Sequence, residues 1–109
     1  MNACVLDLGE YASKTVEGTV IEVYINGEAR FLRVSSRPDG SLSVIRDYTG
    51  KWNAMGLCED VTDPEVIEAC QGIFTSEEYR NFADQEEMSE EEKEYLVEKL
   101  TEIFLYYFN

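Results

Sequence analysis

Glu91, Glu94, Glu98 and Glu102 recur three or four residues apart near the C-terminal end of the chain. On a helix, at about 100° per residue, they fall within about 80° of arc, and successive carboxylates rise by about 4.5–6 Å. Like charges at this spacing repel by a few tenths of a kcal/mol per pair. Such a ladder can present fixed negative charge to lysine and arginine side chains in the place of phosphates. Glu86 and Glu87 extend the acidic stretch on its N-terminal side. The alternative is a solvated face on an amphipathic helix. Leu105 and Tyr106 lie beside the ladder, in a run from Ile103 to Phe108 that is apolar or aromatic on every side, with Tyr95 earlier on the same side. Aromatics flanked by charge are typical of interfaces, so these three are candidate anchors for a partner or for a second copy of the chain.

Other chemistry is sparse. With no histidine, there is no Ser-His-Asp triad, no Cys-His pair and no imidazole metal ligand. Neither a phosphate-binding loop nor a dinucleotide fingerprint occurs. Cys4, Cys58 and Cys70 form no C-x-x-C pair and read as free thiols of a reducing, cytoplasmic setting. Asp60, Thr62 and Asp63 superficially suggest a calcium loop, but the glycine and the bidentate glutamate such a loop needs are missing. Paired carboxylates can act as general acid and base, yet among 23 Asp+Glu such pairs arise by chance. The expectation is a non-enzymatic protein with no cofactor and no metal.

Charge separates the chain into two halves. Residues 1–50 hold seven acids and five bases; residues 51–109 hold sixteen acids and four bases. The formal net charge of −14 opposes direct binding to nucleic acid or anionic lipid and favours a basic protein partner. No apolar run approaches the roughly 20 residues that span a bilayer, and residues 1–10 lack the features of a signal peptide. At 109 residues and 44% hydrophobic, the chain suits one folded domain.

The near-neutral half reads as strands. Val20 to Ile25 is β-branched and is followed by Asn26-Gly27, a hairpin signal. A two-residue loop would set Ile25 opposite Glu28, Val23 opposite Arg30 and Ile21 opposite Leu32, with Ile21, Val23, Ile25, Leu32 and Val34 on the core face. Arg37-Pro38-Asp39-Gly40 makes a second turn. Ser41 to Tyr48 makes a third strand, with Leu42 and Val44 on one face. Residues 1–8 could add a fourth. Residues 49–60 read as a loop in which Trp52 is either a lid over the open end of the core or a binding anchor.

The acidic half reads as three helices. Asp63, Pro64 and Glu65 open the first, which ends near Gly72. Thr75 to Glu78 is a capping box for a second, running to about Asp84 with Tyr79, Phe82 and Ala83 inward. Ser89 to Glu92 is another box, opening the longest helix, whose stripe of Leu96, Leu100, Ile103 and Tyr107 should face the sheet. The expected fold class is α+β: an antiparallel meander of three strands, or four with residues 1–8, followed by three helices, with the last packed on the sheet.

The functional expectation is a small inhibitor that occupies a basic, nucleic-acid-binding surface of a partner by mimicking phosphates. This is the mode of anti-CRISPR and anti-restriction proteins, an analogy of size and charge only. A toxin-immunity protein neutralising a basic nuclease would present the same face. A structural or assembly domain, its charge serving solubility, is a third class.

Overall fold

The computed structural model describes residues 8–25, 30–47 and 58–108. Cys4, Trp52, the Asn26-Gly27 turn and residues 1–7 lie outside them. The fold is α+β. Five strands form one antiparallel sheet in the order β1-β2-β3-β4-β5: β1 Leu8–Thr15, β2 Gly18–Ile25, β3 Arg30–Ser36, β4 Leu42–Asp47 and β5 Cys58–Asp60. Three helices follow: α1 Pro64–Thr75, α2 Glu77–Ala83 and α3 Glu90–Phe108. The chain thus has more strands than the three or four expected.

β2 alternates between buried and half-buried residues along its whole length, the period of a strand with one face on a core. Ile21, Val23 and Ile25 meet Leu32 and Val34 of β3 and Val44 of β4, and all six are buried. The register differs from the two-residue hairpin: Ile25 pairs with Arg30, Val23 with Leu32 and Ile21 with Val34. The connection therefore spans residues 26–29. A shift of two preserves side-chain parity, so the core face is the one expected. Between β3 and β4, Val34 pairs with Val44. The turn at Pro38 and Asp39 closes with Gly40 N–H donating to Arg37 O and Ser41 N–H to Asp39 Oδ1. Gly40 takes a φ of 89°, the left-handed exit its lack of a side chain allows.

β1 was not expected as a full strand. It pairs along its whole length with β2 through a tight turn at Val16 and Glu17. Gly18 leaves that turn at a φ of 135°, where a Cβ would lie 2.1 Å from Ser36 O, so only glycine fits. The stretch read as a loop ends in strand: Cys58–Asp60 pairs with β4, and all three residues are exposed.

All three helices contribute to one core. Val66, Cys70 and Ile73 of α1, Tyr79 of α2, and Leu96, Val97, Leu100 and Phe104 of α3 are buried with the sheet residues. Asp63 caps α1 by accepting the Glu65 N–H at 2.9 Å, and Pro64 begins the helix. α1 continues past Gly72 to Thr75. The cap of α2 is therefore Ser76, accepting from Tyr79 N–H at 3.1 Å, and not Thr75. Tyr79 points inward and Phe82 is half-buried, but Ala83 is exposed. Ser89 caps α3 by accepting the Glu92 N–H, yet Glu92 does not reach back to close a capping box: its carboxylate turns into the core.

Candidate functional site

The ladder depends on how α3 is held. Its buried stripe is Glu92, Leu96, Leu100 and Phe104, with Val97 beside it. Leu96 and Leu100 face the core as expected. Ile103 and Tyr107 do not share that depth; both are half-buried and line the flank toward α1. The difference is a rotation of the stripe by a fraction of a turn, set by α1 packing along one side of α3.

Basic residues of the sheet fix α3 at both of its ends: one lysine at its first turns and two arginines at its last. At its first turns, Lys14 Nζ of β1 lies 2.9 Å from Glu92 Oε1, a close ion pair without the alignment of a hydrogen bond. The same ammonium donates to the carbonyls of Phe82 at 3.0 Å and Gln85 at 2.8 Å, where α2 ends. Glu92 Oε2 accepts the Tyr79 hydroxyl at 3.0 Å. Lys14 thus donates to two carbonyls and pairs its charge with one carboxylate. At the far end, α3 carries no base in its last turn. Arg30 of β3 donates to Phe108 O and stacks over Phe104 at 5.6 Å, and Arg46 of β4 lies over the Phe108 ring at 4.5 Å. Two sheet arginines thereby supply the positive charge a helix C-terminus favours. Arg33 pairs with Glu22 at 2.6 Å on the opposite face of the sheet.

With α3 fixed this way, Glu91, Glu94, Glu98 and Glu102 are all exposed, on the side of the helix opposite its buried stripe. Glu86 and Glu87 are exposed in the connection that leads into α3. The one close ion pair within the ladder is Lys99 Nζ to Glu102 Oε2 at 3.6 Å, between half-exposed side chains. The anchors differ from one another. Tyr106 is 78% exposed, whereas Leu105 is half-buried against the core. The Tyr95 ring is also half-buried, between Tyr79 and Phe82. Its hydroxyl shares a 2.6 Å hydrogen bond with Ser76 Oγ and donates to Glu78 Oε2 at 3.2 Å.

Sequence reasoning missed Lys14, Glu78 and Glu92. Glu92 could have been found by extending the spacing of Leu96 and Leu100 back one turn; a charged residue in a stripe of that period marks a buried partner. Beside Lys14 and Tyr79, a cavity of about 830 Å³ opens between the two sheet turns and helices α1 and α2, with Thr19, Arg37, Glu68 and Phe74 in its wall.

Burial pushes the Cys70 thiol up to about 11. It also raises the Tyr79 phenol to about 12, with the Glu92 carboxylate adding to the rise and a Thr19 hydrogen bond opposing it. Both groups hold their proton in the fold at a pH where the unfolded chain releases it. Their stabilisation is therefore complete below the unfolded values of 9.0 and 10.0 and is lost as pH rises to about 11 and 12. Urea midpoints measured upward from about pH 8 should fall through this window, and less steeply in Cys70→Val and Tyr79→Phe. Equal slopes in wild type and both variants would contradict the assignment. Cys58 is exposed and free.

Among the described residues, no cluster of three or more cysteine or carboxylate side chains has metal-site geometry, and no helix is long and apolar enough to cross a membrane. Comparison with protein-family models, curated proteins and solved structures finds no match to this chain.

Proposed function

We propose that this chain is a non-enzymatic docking protein that occupies a basic, nucleic-acid-binding surface of a partner protein, with the α3 carboxylates standing in for phosphates. The observation that carries the reading is the asymmetry of charge. Lys14, Arg30, Arg33 and Arg46 of the sheet are engaged within the fold, while Glu86, Glu87, Glu91, Glu94, Glu98 and Glu102 all face outward. A helix held at both ends presents the carboxylates from a fixed backbone, so binding orders their side chains but not the main chain. It also attracts a cationic groove from a distance, so association is fast and salt-sensitive. Blocking a phosphate-binding surface in this way is the mode of anti-CRISPR and anti-restriction inhibitors, and this chain is proposed to act in that manner.

The test replaces Glu91, Glu94, Glu98 and Glu102 together with glutamine. At about 0.5–1 kcal/mol for each rim charge, the change should weaken binding by about 2–4 kcal/mol, or ~30- to 1,000-fold. Capture of nucleic-acid-binding proteins from a nuclease-treated bacterial lysate at low salt should fall accordingly. Stability should hold or rise slightly, because like charges are removed. Capture equal to wild type by a folded quadruple variant would refute the role of the ladder.

A further inference from the structure

Beside the ladder, α1 and α3 leave an open groove of about 510 Å³. Tyr95, Tyr106 and Tyr107 wall it along α3, Ile73 and Ile103 contribute its apolar lining, and Glu78 and Glu102 stand at its mouth. Two of the three rings are held from their hydroxyls: Tyr95 by Ser76 and Glu78, and Tyr107 by Glu65, whose Oε1 accepts at 3.4 Å. The third, Tyr106, packs edge-on against Tyr107 with centroids 4.8 Å apart at 82°. A cation of the chain's own lies in this groove. Lys99 Nζ is 5.7 Å from the centroid of the Tyr95 ring and 3.6 Å from Glu102 Oε2. Aromatic faces with carboxylates at the rim form a site for a cation, and a planar guanidinium stacks on such faces better than an ammonium does.

We infer that the α1–α3 groove receives an arginine side chain from the basic surface of the partner, and that Lys99 holds the place of that arginine in the free protein. The inference rests on the docking reading and adds to it a specific anchor. Arginine entry displaces the Lys99 ammonium from Tyr95 and Glu102 toward solvent. The guanidinium then takes the place of the ammonium over the Tyr95 ring, already oriented by its hydroxyl, with Glu78 and Glu102 accepting from it. The carboxylate ladder provides attraction at a distance, and the groove provides the contact that distinguishes arginine from other cations.

The probe is the capped tripeptide acetyl-Gly-Arg-Gly-amide, titrated into the full chain and followed by the ring resonances of Tyr95, Tyr106 and Tyr107. Saturable shifts are expected at these rings, weaker with the lysine tripeptide and absent with the leucine one. Tyr106 is exposed, so Tyr106→Ala stays folded and should weaken binding at least ~threefold. Lys99→Ala removes the internal competitor and should tighten binding by about five- to tenfold. Lys93→Ala makes the same change of charge on the same helix outside the groove and should have little effect. Equal binding by the Lys99 and Lys93 variants, or by the arginine and leucine peptides, would overturn the inference. Rings that stay unmoved while the backbone amides of Glu91, Glu94 and Glu98 shift would overturn the groove and leave the ladder reading standing. Failure of that reading would appear separately, as capture unaffected by the quadruple glutamine change.

Discussion

Lys14→Met should destabilise the fold by about 3–5 kcal/mol, the range for removing one partner of a buried ion pair. The side chain of Glu92 is completely buried and that of Lys14 is 10% exposed. Without the ammonium, the Glu92 carboxylate keeps the Tyr79 hydroxyl as its one remaining hydrogen-bond donor; the Gln85 carbonyl loses the lysine, while Phe82 O still accepts the Gln85 N–H. An uncompensated buried charge costs far more than the pair contributes. Glu92→Gln should fall in the same range, since it strands the lysine. The paired change Lys14→Met with Glu92→Leu should recover much of the loss, because apolar residues of similar volume replace a buried pair at little net cost. Urea denaturation of the three variants measures this directly. Losses below about 1 kcal/mol in both single variants, or a double variant as unstable as the sum of the singles, would show that the pair does not hold β1, α2 and α3 together.

Phe104→Ala should cost a similar amount, about 3–5 kcal/mol, for a different reason. The ring is 1% exposed in the core beneath Arg30, with Phe108 at 6.3 Å. Its loss leaves a cavity and removes the surface on which the Arg30 guanidinium rests. The damage should concentrate at one end of α3. Hydrogen exchange should accelerate in the last two turns of the helix before it does so near Leu96. A uniform change along α3 would contradict a separate C-terminal lock. Both predictions bear on function, because the ladder is rigid only while α3 is fixed at each end.

How far the sequence revealed these features depends on whether the core follows apolar pattern. β2 was legible because Ile21, Val23 and Ile25 alternate without interruption. Its register to β3 slipped by two residues, yet the buried face was identified, because parity alone decides it. β1 was not legible, for the converse reason. Its helix-facing positions by register include Glu10 opposite Val23 and Lys14 opposite Thr19, so the apolar alternation that marks a half-buried strand is absent. β5 is three polar, exposed residues and carries no strand signal. Glu92 lies at the spacing from Ser89 that fits the partner position of a capping box. Its deeper role depends on a lysine 78 positions earlier, and no local pattern encodes that contact. The outward ladder followed directly from helical spacing. The groove did not, since Glu78 and Ile73 reach it from other helices.

The central claim, that the α3 face competes with nucleic acid for a basic surface, is tested most directly by displacement. A partner captured by the chain is titrated with duplex DNA at fixed ionic strength while free and bound chain are followed by fluorescence anisotropy. The account predicts mutual exclusion: DNA releases the chain completely, and the apparent Kd of the partner for DNA rises in proportion to the concentration of chain. A ternary complex, in which DNA binds with unchanged affinity while the chain stays bound, would contradict it.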